Sequence, residues 1–335
     1  MSPEPTLPFA DGPGPIGAYV DPVLVDPAPS LLTAVVEAYR TAAPAVVEPS
    51  LPTLRAEASG GDSPAGTGDP AATGARPERS VAPASGLPTL AVLASDRAVD
   101  AVADGFRPAS RLAALAETGA LVLLTLSEPQ PNAALLGRET GSVLVAGGGR
   151  DGADGDADSA ARWCRVGDDP ALRERYAPLV DAAEERRLRT PSRRRVHESV
   201  RERCGVAVAD DVVRAIDPGA VDGSAGAASD ASDASDAVDP DELDLAGARR
   251  RAYVVGVVHG ALDRDLRRAC EEAGVGSSAT FTRIKRDLRE AGLLATESVP
   301  QPVGRPRERL VARGALADAD GPIEAVAAAL DAVEY

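Results

Sequence analysis

Several donor side chains fall on one face of a short helical pattern, where they could read nucleic acid. At about 100° per residue, Ala279, Thr282, Arg283 and Arg286 share a face. Lys285 and Arg289 lie on its flank, and Phe281, Ile284, Leu288 and Ala291 point the other way. Donors in successive outward turns match what base edges and phosphates present. On this reading Thr282, Arg283 and Arg286 face bases, while Ser278, Lys285 and Arg289 hold phosphates. Downstream, Gly304-Arg305-Pro306-Arg307 puts two guanidinium groups on a narrow, stiff loop. Such a loop can enter a minor groove, where the negative potential favours arginine.

Those residues need a scaffold, and the preceding sequence supplies one. Leu245, Ala248, Ala252 and Val255 are spaced as one apolar helix face. Leu262, Leu266, Cys270 and Ala273 form a second stripe, broken by Gly274 and Gly276. Glycine at 274 suits the positive φ that ends a helix, and Ser277 or Ser278 suits the N-cap of the next. After Gly292, weak alternation over 293–299, a Pro/Gly turn and an apolar return over 307–313 predict a hairpin. Helix, helix, turn, helix and hairpin over 241–313 make a winged helix-turn-helix. A final amphipathic helix carries Ile323, Val326, Ala327 and Leu330 on one stripe. We expect that stripe to contact a second subunit of a homodimer.

Charge singles out the same region. The 335-residue chain has 52 acidic and 36 basic side chains, a net −16, and Lys285 is its one lysine. From Arg249 to Arg309, however, basic residues outnumber acidic ones 13 to 8. A basic segment inside an acidic chain marks a candidate anion-binding surface. Scarce lysine, abundant aspartate and 3 % aromatics resemble proteins adapted to molar salt, where screening tolerates self-repulsion. A GC-rich genome would also replace lysine by arginine.

The rest of the chain predicts an α/β regulatory domain over 29–218. A helix begins at Pro29, and Ala45–Val47 reads as a short strand. Strands are expected over 90–93, 121–126, 133–136, 142–146 and 163–166, and helices over 96–105, 108–117, 170–187 and 193–203. Pro-rich residues 1–28 read as a disordered tail. Residues 56–86 read as an unfolded insertion and 219–240, with three Ser-Asp-Ala repeats, as a flexible linker. The fold class is therefore an α/β N-terminal domain plus a C-terminal winged helix-turn-helix, over 241–335.

Catalysis finds little support. His197-Glu198 starts an H-E-x-x-H pattern, but Arg201 stands at the second histidine position, which defeats the zinc reading. There is no G-x-S-x-G, and Gly147-Gly148-Gly149 lacks the Gly-Lys-Ser/Thr of a phosphate loop. The three cysteines are too dispersed for a metal or disulfide framework. His259 reads as a core or capping residue and Cys270 as an inert apolar thiol. The arginine run from Arg186 to Arg195 reads foremost as a solvated face paired with nearby glutamates. No apolar run approaches a membrane span, and no signal peptide is evident. We expect a cytoplasmic protein that is not an enzyme and needs no cofactor.

Residues 274–283 (Gly-Val-Gly-Ser-Ser-Ala-Thr-Phe-Thr-Arg), Leu288–Leu293 and Val299–Arg307 resemble the C-terminal region of haloarchaeal TbsP-like (TrmB-suppressor) transcriptional regulators. Leu87-Pro88-Thr89, Asp96-Arg97 and Leu188–Pro191 fit the same pattern more weakly. The resemblance implies a regulator that binds double-stranded promoter DNA, of genes such as those of central carbon metabolism. It also implies an N-terminal α/β domain able to sense a small-molecule effector. The rival reading is an adaptor whose basic segment docks an acidic protein.

Overall fold

The computed structural model describes residues 4–9, 12–60, 86–145, 162–166, 171–217, 244–302 and 305–333. They divide into two compact units.

The first unit takes the described parts of 1–48, 76–103 and 111–188. It opens with β1 (Thr6–Phe9), β2 (Gly12–Pro15), β3 (Val23–Val25), α1 (Pro29–Ala42) and α2 (Pro44–Val47). After α3 (Leu51–Gly60), which belongs to the second unit, come β4 (Leu90–Ala94), α4 (Asp96–Val102) and α5 (Phe106–Glu117), whose residues 106–110 are also counted with the second unit. The unit ends with β5 (Leu121–Thr125), β6 (Ala134–Leu136), β7 (Gly141–Val145), β8 (Arg162–Arg165) and α6 (Ala171–Ala182). β1 and β2 pair as a small antiparallel ribbon. The other six strands form one mixed sheet, β5-β4-β3-β6-β7-β8, parallel across β5-β4-β3 and antiparallel beyond.

Alternation along the strands splits the core in two, as a pleated sheet requires. Leu24, Val92, Leu121, Leu123 and Leu135 meet Leu32, Val35, Val99, Leu112 and Leu115 on one face. Val23, Val25, Leu93, Leu124 and Leu136 meet Tyr176 and Leu172 of α6 on the other. The sheet is thus covered by helices on both sides.

The expected disordered tail over 1–28 is corrected by this sheet. Val23-Leu24-Val25 is an interior strand, buried throughout and paired on both edges. Three apolar residues between Pro22 and Pro27 are too few to show a period, yet they suffice where neighbours supply both ladders. Ala45–Val47, expected as a strand, closes the helical turn α2, with Pro44 at its first position where proline suits a helix start. The helix expected over 170–187 stops at Ala182. Residues 184–186 pair with β5 instead, Thr125 N–H donating to Glu184 O and Arg186 N–H to Leu123 O. Residues 56–60 of the expected insertion finish α3; 61–85, the linker 219–240 and the triple glycine at 147–149 lie outside the described residues.

The second unit takes the described parts of 49–75, 104–110 and 189–335. Besides α3 it holds α7 (Arg193–Cys204), α8 (Val206–Ile216), α9 (Leu245–Val258), α10 (Asp263–Ala273) and α11 (Ser278–Glu290). β9 (Leu294–Val299), β10 (Arg307–Ala312), α12 (Ala315–Asp318) and α13 (Pro322–Val333) complete it. One core joins Val196, Val200, Val212 and Ile216 to Val254, Leu266, Phe281 and Leu310. The boundary expected at 218–241 is therefore corrected: α7 and α8 pack with the helix-turn-helix. Their amphipathic patterns carry no mark of which sheet or bundle they serve.

α13 lays Val326 and Ala329, with Ala325, into that same core, leaving Ile323 and Ala327 exposed. Half of the stripe expected to contact a second subunit, Val326 and Leu330, is packed against its own unit.

Candidate nucleic-acid interface

The turn before α11 is fixed by backbone chemistry. Gly274 ends α10 at φ +87°, and Val275 N–H reaches back to Cys270 O at 2.9 Å, a Schellman-type closure. Arg249 Nε of α9 donates to Val275 O at 2.7 Å. Ser277 then caps α11, its Oγ accepting from Thr280 N–H. Behind α11, Tyr253 and Phe281 stack with ring centroids 5.9 Å apart.

A buried charge network locks the three helices and the hairpin together. Asp263, 2 % exposed, opens α10. It accepts from Tyr253 Oη at 2.6 Å and from Lys285 Nζ at 2.8 Å, and Arg267 lies 3.0 Å away. Lys285 Nζ also bonds Glu308 of β10. Burial and the Asp263 carboxylate push the Tyr253 hydroxyl far above its ordinary range, so it stays a donor. Arg309 bridges to Leu262, and Leu310 N–H donates to Ala261 O at 3.0 Å. The turn before α10 thereby adds a single bridge to the free edge of β10.

These contacts sort the expected site residues. Ser278, Thr282, Arg283, Arg286 and Arg289 are exposed along α11, and Arg305 is exposed beside the hairpin. Arg283 has no ion-pair partner among the described residues. Arg286 makes only weak contacts, with Asp287 at 3.3 Å and Glu290 at 3.8 Å. Arg289 is held by Thr296 of β9, and Arg307 pairs with Asp265 at 3.0 Å. Lys285 is the correction. It is buried between two carboxylates and faces the hairpin, not solvent. A flank position at one helical step was enough to turn it inward. Ala291, expected inside, is exposed at the end of α11. Val303 and Gly304 of the loop lie outside the described residues.

Two arginines were not foreseen. A cavity of about 310 Å³ between α10 and the hairpin is lined by Arg264, Arg267, Arg305 and Arg307 among others. Arg267 donates to Thr282 Oγ1 at 3.1 Å. The signal lay in α10 itself: with Leu266, Cys270 and Ala273 inward, Arg264 and Arg267 fall on its outer side.

The arginine run behaves as structural pairing, but with distant partners rather than the adjacent glutamates. Arg186 meets Asp96 and Asp100, Arg193 meets Asp217, and Arg194 meets Glu57 at 2.9 Å. His259 caps α9 and bonds Asp211 at 2.8 Å. Burial pushes the Cys270 thiol up to about 12 and the Cys204 thiol up to about 11, which keeps both protonated at neutral pH. Among the described residues no cluster of metal-ligating side chains forms, and no helix is long and apolar enough to cross a membrane.

Three helices with a tight second turn, a hairpin after the third and an exposed arginine face on that third helix define a winged helix-turn-helix regulator class, here following an α/β unit. The family comparison agrees. Residues 192–330 match the C-terminal HTH domain of TbsP-like transcriptional regulators, and residues 78–191 match the N-terminal domain of the same regulators. With both domains in order and continuous from 78 to 330, the chain belongs to the TbsP-like transcriptional regulators. The junction at 191/192 falls just before α7, three residues past the 188/189 division between the two units. No curated protein and no solved structure matches the chain.

Proposed function

We propose that this chain is a sequence-specific regulator that inserts α11 into the major groove of promoter DNA. The observation that carries the reading is the exposed face of α11, where Arg283 and Arg286 stand clear of the buried network behind them and Thr282 is exposed while accepting from Arg267. In this role Thr282, Arg283 and Arg286 face base edges, and Ser278 and Arg289 contact phosphates. Arg305 and Arg307 act from the wing on the minor groove. Lys285 is assigned to positioning α11, not to DNA. The α/β unit serves as the regulatory module, in a cytoplasmic homodimer of haloarchaeal type that responds to a small-molecule effector. Genes of central carbon metabolism are the proposed targets, on the family resemblance.

Chromatin occupancy of the tagged protein in its native salt tests this, beside an Arg283→Ala/Arg286→Ala version. Discrete promoter peaks that vanish in the double variant are expected. No peaks with either version, across several nutrient conditions, would leave the adaptor that docks an acidic protein as the better account.

A further inference from the structure

The second unit also holds a cavity that gene reading does not use. It measures about 600 Å³ and is framed by α3, the end of α7 and the start of α8. Three guanidinium groups line it. Arg55 is committed to Asp210, with Nε donating at 2.7 Å, and Arg214 to Asp211 at 2.6 Å. Arg201 has no such commitment: its Nε is buried with no hydrogen-bond partner among the described residues. Two neutralised arginines and one uncommitted arginine leave the cavity short of one negative charge.

The start of α8 faces the same place. α8 starts at Gly205, φ +93°, with no side-chain cap, and its first residues Val206 and Ala207 line the cavity. Their N–H groups lack intrahelical acceptors, and the helix dipole adds partial positive charge. A second cavity, of about 480 Å³, shares Ala58 and Arg201 and is lined by His197 and by three carboxylates, Glu57, Glu198 and Glu202, with no ion pair to Arg201 among the described residues. His197 is 1 % exposed; its Nε2 bonds Asp210 at 3.0 Å, while its Nδ1 is buried without a partner. A buried polar atom with no partner is uncommon in a folded protein; with Nε2–H given to Asp210, Nδ1 is an acceptor and takes no part in holding an anion. Of the remaining walls of the first cavity, Ala58, Val206 and Ala207 are apolar, and the Ser59 hydroxyl is given to Arg55 O.

We propose that the α3/α7/α8 cavity binds a small anionic metabolite. Its phosphate or carboxylate sits between Arg201 and the N-terminus of α8, and its body rests on Val206 and Ala207. One wall of the site reaches the helix-turn-helix, because Asp211 also bonds His259 at the end of α9. Binding at this cavity is independent of whether α11 reads DNA.

Isothermal titration of the full chain at fixed KCl, with inorganic phosphate and with citrate as probes, tests it. Glycerol serves as the neutral control. Saturable binding is expected for at least one anion and none for glycerol, and the two anion arms tell phosphate from carboxylate recognition. Arg201→Ala should weaken binding at least tenfold, and Arg201→Lys should recover part of it. Val206→Glu places a carboxylate at the mouth, at a position 49 % exposed, where acidic residues suit a helix start. It should abolish binding with the unfolding midpoint unchanged. No saturable binding of either anion, or equal affinity in wild type, Arg201→Ala and Val206→Glu, would overturn the proposal.

Discussion

At the scale of single residues, neighbouring positions on α11 do opposite work. Lys285 is buried between Asp263 and Glu308, whereas Arg283 and Arg286 are exposed. Lys285→Ala strands the Asp263 carboxylate in the core with only Tyr253 and Arg267 to meet it. Stripping one partner from a buried ion pair costs about 3 kcal/mol at the low end. Urea unfolding should show that loss for Lys285→Ala and almost none for Arg283→Ala. A stable Lys285→Ala protein would remove the network from the account of how α11 is held. Arg286→Ala should leave stability intact and cost about 1–3 kcal/mol of site discrimination, the worth of a good base contact. Equal losses on specific and random DNA would make Arg286 a phosphate contact. Asp210 sets a pH dependence. Burial works against its carboxylate, but hydrogen bonds from Arg55 and His197 outweigh burial and hold its pKa below the usual range. A depressed carboxylate contributes stability above its unfolded pKa, about 3.9, and loses it as pH falls through the folded value. Asp210→Asn should therefore destabilise at pH 7 and flatten the acid limb of a stability–pH curve below about pH 4.

At the scale of elements, two glycines separate space from backbone conformation. A Cβ on Gly256 of α9 would stand 2.2 Å from Leu266 Cδ2 and 3.1 Å from its Cγ. Leu266 is fully buried, so it cannot swing away freely. Gly256→Ala should cost about 1–3 kcal/mol, as overpacking does. A Cβ on Gly274 meets nothing within 4 Å, but φ there is +87°. Gly274→Ala should cost about 1 kcal/mol through strain alone, and Gly274→Asn less, because asparagine tolerates the left-handed region. Denaturant midpoints of the three variants give the order, and an Asn variant weaker than the Ala one would contradict it. The same region shows what was legible beforehand. α9, α10, α11 and both hairpin strands follow from apolar spacing and two glycines, even where Val254–Val258 invites reading as a strand. β3 and α8 escaped notice for different reasons. β3 is three residues long and draws its hydrogen bonds from β4 and β6. α8 has a strong apolar stripe, but it begins at a glycine without a capping side chain. The exposed face of α11 could be read from residue spacing. The Asp263 network could not, because it joins four elements that no periodicity relates.

At the scale of the molecule, the domain boundary decides which piece of chain can stand alone. Sequence composition places it in the Ser-Asp-Ala stretch, so a fragment 241–335 looks natural. The core says otherwise. Ala252, Val254 and Val255 of α9 share one apolar cluster with Val196, Val200, Val208, Val212 and Ile216 of α7 and α8. Cutting at 241 uncovers that side of α9 and also removes Arg203, whose Nε bonds Glu272 of α10 at 2.6 Å. Each large aliphatic side chain returned to water forfeits about 1.5–3 kcal/mol, and a whole domain is stable by only about 5–15 kcal/mol. Five such contacts approach that total. A fragment from 189 keeps α7 and α8 and loses only α3 and the short stretch with Phe106. We expect 189–335 to unfold cooperatively in urea, and 241–335 to show a broad transition with weakened near-UV dichroism. DNA binding measured on the shorter piece would then report a partly unfolded domain rather than the interface itself. A sharp, equally stable transition for 241–335 would instead show that α9 to α13 form a self-sufficient core and that α7 and α8 are additions to it.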